Sequence, residues 1–143
     1  IIAGIFISKM LAKKKMGDVE VDMQPDEARP SGRISGKLRI TPPKDVSVNS
    51  VQATLVGQEV TVTGSGTNRT THRHSFHDDT ADLGAGQKLH GGMANEFRFA
   101  FAVPSDAPPS FRSGSSAVRW LVRVDVDVPK WPDHSEHHEF VVG

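Results

Sequence analysis

The chain has no cysteine, which removes disulfide frameworks, thiolate metal sites and cysteine nucleophiles together. A cysteine-free sequence fits a reducing compartment, so a cytoplasmic location is the expectation. Neither sign of charge is in excess: Lys+Arg and Asp+Glu each number 17, and no bulk attraction to nucleic acid is implied. No apolar run approaches the ~20 residues that span a bilayer; "IIAGIFI" stops at Ser8. A nucleophile elbow, a phosphate-binding loop and a dinucleotide fingerprint are all missing. The segment "LGAGQKL" carries glycines and a lysine, but lacks the loop spacing and the hydroxyl after the lysine. It reads as a turn. The sequence is therefore read as non-enzymatic, with no cofactor.

What remains is one domain's worth of chain. A domain of about this length buries roughly 68–70% of its extended surface, so an apolar core without staples is feasible. Charge is uneven along it. The first 17 residues hold Lys9, Lys13, Lys14 and Lys15 with no acid, leaving 13 basic against 17 acidic residues in the body. A basic head precedes a mildly acidic body.

The only helical period lies in that head. In "IIAGIFISKMLAKKKMG", Ala3, Phe6, Ile7, Met10 and Leu11 share one helix face. Gly17 is a candidate stop, with lysines in the last turn where the helix dipole favours cations. From Asp18 onward the period is two. "DVEVDM" alternates valines and methionine with acids, "QPDEARPSG" is turn chemistry, and "RISGKLRI" puts Ile34, Leu38 and Ile40 on one face. Gly36 between them marks a bulge or a close approach. "VSVNSVQATLVGQEVTVTG" shifts parity between Leu55 and Val60, which predicts a bulge or turn near Val56–Gly57. Residues 64–95 are polar and weakly patterned, and read as a long excursion with one short strand around "THRHSF".

Strong pattern returns at Phe97, Phe99, Phe101 and Val103. The clearest strand follows, with Val118, Trp120, Val122, Val124, Val126 and Val128 on one face, and Arg119, Leu121, Arg123, Asp125 and Asp127 on the other. "PKWPDHSEH" is expected to turn the chain, and "HEFVVG" to close it as a short strand. About seven alternating strands separated by Pro/Gly turns predict an all-β, antiparallel β-sandwich. Between two of its strands stands "VPSDAPPSF". Pro104, Pro108 and Pro109 cannot donate to a ladder and suit a stiff edge connection. Phe111 is expected to drop onto the interior and pin it.

These residues carry a resemblance. "NEFRFAFAVPSDAPPSF", followed by "AVRWLVRVDVDVPKWPD" and "HEFVVG", resembles the last strands of the arrestin N-terminal domain. "LHGGMANEFRF" resembles the lead-in to them, and "VEVDM…PSGRISGKLRI" the opening hairpin. "KKKMGDVEVDM" is similar to bacterial arrestin-like proteins related to sporulation-control factors. The resemblance implies an immunoglobulin-like sandwich of the arrestin N-terminal type over 18–143, after a short N-terminal helical segment over 1–17. Two-domain arrestins carry a second sandwich of similar build; these 143 residues hold one. The task implied is a scaffold or adaptor that binds another protein through sheet edges and loops, strand addition included. Lys13–Lys15 precede the first strand, so a phosphate-sensing role is not carried over.

Two groups of residues invite chemistry. His72, His74 and His77, and then His134, His137 and His138, offer metal-ligating nitrogens, but neither set matches a motif of fixed spacing, and His-rich surface loops are commonly only polar. Trp120 is expected in the core and Trp131 at a turn. The N-terminal segment has three readings: Phe6, Met10 and Leu11 inserted in an anionic membrane surface with Lys9, Lys13, Lys14 and Lys15 at its headgroups; the end of a transmembrane helix that begins before Ile1; or packing on the sandwich or a partner chain. The membrane readings make a structural subunit of a membrane-associated assembly the alternative function.

Overall fold

The longest alternation in the sequence builds the centre of the molecule. The computed structural model describes residues 17–130 and 134–143; the helix expected over 1–17 and Trp131 fall outside them, Gly17 apart. Strand β10 (Ser116–Asp127) buries Val118, Trp120, Val122, Val124 and Val126 along one face. It pairs antiparallel with β5 (Ser50–Thr63) on one side and β11 (His134–Val142) on the other. Registers such as Leu55↔Val122, Ala53↔Val124 and Phe140↔Trp120 put apolar side chains level with one another on the inner face. The sheet continues from β5 to β6 (Thr70–Ala85), its edge strand among the described residues. At the opposite edge β2 (Glu27–Ala28) adds in parallel to the end of β11, and β9 (Phe111–Ser113) pairs the start of β10.

A second sheet runs in the order β1 (Asp18–Gln24), β3 (Arg33–Thr41), β8 (Asn95–Ala102). Ile34, Leu38, Ile40, Phe97, Phe99 and Phe101 from this sheet join Leu55, Trp120, Val122, Val124 and Phe140 from the first in one continuous core. That is the all-β sandwich. A two-stranded strap, β4 (Val46–Ser47) with β7 (Lys88–Leu89), closes one end. Seven of the eleven strands among the described residues are seven residues or longer, and these are the alternating segments legible in the sequence together with β6.

Several expectations need correction. Residues 64–95 are not an excursion, because β6 alone is 16 residues long and pairs β5 from Ser50↔Ala85 to Thr63↔Thr70. Its alternation is hidden because, as an edge strand projecting past the small sheet, it has little apolar surface to bury. The irregularity expected near Val56–Gly57 exists between Gly57 and Gln58, but β5 runs through unbroken and the extra residue, Phe76, is on β6. A second register shift at Val51/Gln52 leaves Leu83 extra. Both bulges turn an apolar β6 side chain onto the core. Strand β11 begins at His134, inside the expected turn. Phe111 is 48% exposed. The proline connection is pinned by polar groups: the Trp120 indole N–H donates to the Pro108 carbonyl at 2.8 Å, and Ser110 N–H donates to the Val142 carbonyl at 2.8 Å. Ala107, in place of Phe111, is the buried residue of the stretch from Pro104 to Phe111.

Gly36 and Gly57 are sites of close approach. A Cβ at Gly36 would run into the Phe99 ring and lie 2.7 Å from the Asp22 carbonyl oxygen, while the β1–β3 register passes through without a bulge. A Cβ at Gly57 would lie 2.7 Å from Phe76 Cε1 and 3.0 Å from Trp120 Cη2. These two rings stack edge to face, centroids 5.5 Å apart at 83°.

Two outcomes follow. Gly57→Ala overpacks this contact and destabilises the fold by about 1–3 kcal/mol in urea unfolding, and Phe76→Leu in the same chain recovers part of the loss by freeing the space. Asp45 accepts from Gly91 N–H at 2.7 Å and lies 3.2 Å from Lys88 Nζ, which lowers its pKa, chiefly through the backbone hydrogen bond. A carboxylate depressed on folding contributes stability above its unfolded pKa and loses it as pH falls through the folded value. An NMR titration will therefore find the Asp45 carboxyl below the ordinary carboxylate range, with the Gly91 amide shift following it and becoming pH-independent in Asp45→Asn.

Candidate interaction edges

The two ends of strand order are where this sandwich meets its surroundings. At one side, β1 bonds only to β3 among the described residues, which leave its other edge open. Its sequence alternates exposed Asp18, Glu20 and Asp22 with half-buried Val19, Val21 and Met23. The apolar positions pack on the core from its margin. Beside them opens a groove of about 480 Å³ whose walls include Val21, Asp22, Met23, Asp26, Arg119, Leu121, His138 and Glu139. An acidic strand with an apolar inner face, next to a groove, is what an extended segment of alternating apolar and basic residues would complete.

Strand β11 borders this groove, and its inner face changes character along its length. Phe140 and Val142 are core residues, but the same face continues through His138, Glu136 and His134, which sit opposite Val122, Val124 and Val126. His134 Nε2 is 3.4 Å from one Glu136 oxygen and His138 Nε2 is 3.6 Å from the other. His134 is 2% exposed, and neither of its ring nitrogens has a hydrogen-bond partner. His137 lies on the opposite face by the same alternation, so the three histidines do not converge.

At the other side of the molecule, β5 and β6 run on past the core as a two-stranded ribbon. It ends in a 3-10 turn at Gly66–Asn68, and nearly every residue from Glu59 to Ser75 is exposed or half-buried. On the inner side of the ribbon, His72 stands opposite Thr61 and His74 opposite Glu59, while the bulge carries His77 to within 5.7 Å of the Trp120 ring. The first histidine set is thus spread along a strand. Among the described residues no group of three or more His, Asp or Glu is placed to hold a metal ion.

The outer face of the large sheet holds a feature that sequence reasoning missed. Val56 (2% exposed) and Leu121 (3%) face each other there in the β5–β10 register. Around them lies a cleft of about 240 Å³ bordered by Arg73, Arg119, Arg123 and His137. Arg112 and Arg119 both reach Glu139, at 3.2 and 2.6 Å, and Arg123 Nε donates to Asp125 at 2.9 Å. Leu121 among charged neighbours, and Val56 beside Leu55, were the only signals of it in the sequence.

The residues expected to touch a membrane or partner, Phe6, Lys9, Met10, Leu11, Lys13, Lys14 and Lys15, lie outside the described residues. Among the described residues no helix is long and apolar enough to cross a membrane.

The comparisons with known proteins agree on the fold. The family model for the arrestin (or S-antigen) N-terminal domain matches residues 17–143. The crystal structure of Spo0M, a sporulation control protein from Bacillus subtilis, superposes with a TM-score of 0.67 at 18% identity, covering 87% of this chain and 48% of that one. The chain thus spans about half the length of the Spo0M chain. No curated protein matches it. The matched family accords with a protein that is not an enzyme.

The buried His134 generates a stability prediction. A buried polar group without a partner costs about 1–3 kcal/mol, so His134→Leu raises the urea midpoint at neutral pH by an amount corresponding to about 1 kcal/mol. His138→Leu, at the half-exposed end of the ladder, has a smaller effect.

Proposed function

The chain belongs to the arrestin family through its N-terminal domain, and from that footing we propose that it works as a protein-binding scaffold or adaptor whose partner adds a strand to the open edge of β1. The observation that carries this reading is the edge itself. A row of unpaired backbone groups is a ready template for another chain. Here it is combined with acids on one face, half-buried valines and methionine on the other, and a groove alongside. Main-chain hydrogen bonds supply affinity in strand addition, and alternate side chains supply selectivity. The acids Asp18, Glu20 and Asp22 select a basic face on the incoming strand, and the groove takes its apolar one.

The test is a photo-crosslinking residue at position 20 in the native cell, set against the same residue at position 67 on the ribbon turn. Position 20 captures a second protein through an extended basic segment. A synthetic peptide of that segment then binds the purified chain, and charge reversal at Asp18, Glu20 and Asp22 together weakens it about tenfold, from three cross-strand pairs worth ~0.5 kcal/mol each. Capture from position 67 alone, or peptide binding indifferent to the reversal, refutes the β1 site.

A further inference from the structure

The opposite edge of the molecule carries a different pattern, and it matches itself. We propose that two copies of this chain pair antiparallel along the free edge of β6, about a two-fold axis at Ser75–Phe76. This proposal does not rest on the β1 site and uses none of its residues.

Strand β6 is 16 residues long and, among the described residues, hydrogen-bonds only to β5, so one whole edge has no partner strand among them. Long free edges are usually protected by like charges or irregular backbone. The charges of β6 are instead segregated by sign along its length. The first half holds His72, Arg73 and His74, and the second holds Asp78, Asp79 and Asp82. Antiparallel pairing of two copies brings each half against the other half of its mate, so basic positions approach acidic ones at Arg73 and His72, while His74 approaches His77. Within one copy the side chains of Arg73, Asp78 and Asp79 are exposed and make no hydrogen bond or ion pair with another described residue.

The bulge at Phe76 decides the register. A two-fold axis perpendicular to the sheet keeps each side chain on its own face, so residues that meet across it must share a face. In a regular strand, residues 73 and 78 would lie on opposite faces, since side chains alternate with period two. The extra residue Phe76 shifts that parity. Arg73 and Asp78 both stand outward, level with Val60 and Val56, and His72 and Asp79 both stand inward, level with Thr61 and Leu55. Thr71 and Thr80 are outward as well, level with Val62 and Thr54. With the axis at the bulge, Arg73 meets the second copy's Asp78, His72 meets its Asp79 and Thr71 meets its Thr80. Each contact occurs twice. The next register that preserves the faces sets Arg73 against Thr80 and loses both Arg–Asp pairs. One backbone irregularity thus aligns charge and face in the same register, and the two large sheets join into one.

The experiment is a charge swap on the full chain. Molar mass is measured by light scattering and sedimentation for wild type, Arg73→Asp, Asp78→Arg, and an equimolar mixture of the two variants. Wild type is dimeric. Each variant alone sets like charges together twice and raises the dimer dissociation constant about tenfold or more. The mixture restores the dimer, because the acid-only edge of one variant meets the base-only edge of the other. That recovery also shows both variants are folded, and the double variant R73D/D78R dimerises by itself. Amide exchange over 70–82 slows on dimerisation. A wild type that stays monomeric up to near-millimolar concentration, a dimer indifferent to both reversals, a mixture that fails to recover, or a β6 edge occupied only by a strand of another protein overturns the proposal.

Discussion

The indole of Trp120 lies in the middle of the large sheet's inner face, fully buried, and four other segments are shaped to receive it. Strand β5 gives up a side chain at Gly57, because a Cβ there would press on the indole and on Phe76 at once. Strand β6 inserts Phe76 as an extra residue, which places that ring edge-on to the indole. Strand β11 supplies Phe140, its ring centroid 6.4 Å from the indole's. The proline segment supplies the Pro108 carbonyl for the indole N–H, which buried away from water would otherwise be left unpaired. A large aromatic with one polar atom thus fixes a missing side chain, a bulge, a ring and a carbonyl on four pieces of chain far apart in sequence.

That arrangement explains what could and could not be read in advance. The faces of β3, β8 and β10 were legible because they bury one side fully, and full burial on one side enforces strict alternation. Trp120 stood on such a face and was correctly placed in the core. Strand β6 was not legible, because its side chains are mostly exposed and its two large apolar residues on the core, Phe76 and Leu83, each occupy a bulge that breaks the count of two. Phe111 misled for the opposite reason: an aromatic after prolines suggests an anchor, but the anchor is the hydrogen bond from Trp120 to Pro108, next to the small Ala107. The polar ladder on β11 was missed because His134 and Glu136 look like turn residues after Pro132 and Asp133, which left only His138 at the start of the expected strand. The β1 edge was partly legible, since "DVEVDM" shows its alternation openly, but that its outer edge is free follows only from strand order.

The two edges differ in kind, and the difference traces to what each strand packs on. Strand β1 closes the small sheet with Val19, Val21 and Met23 still half-buried, so it retains an apolar side that a further strand could cover. Strand β6 extends beyond the small sheet, keeps few apolar groups, and presents charges sorted by sign. An edge of the first kind suits a foreign segment of complementary composition, and one of the second suits its own copy.

Core and edge are therefore not independent in β6. The bulge that seats Phe76 against Trp120 also sets which face Asp78 and every residue after it occupies relative to Arg73. With Phe76 taken into the regular pleat and no bulge, the strand would lose the edge-to-face contact and carry Arg73 and Asp78 on opposite faces, where no two-fold axis perpendicular to the sheet could bring them together. The requirement to fill the space left by Gly57 and the ability of β6 to match a second copy meet in the same backbone step. A substitution at the glycine, deep inside the sandwich, is then coupled to the free edge through Phe76, with no contact of its own at the surface.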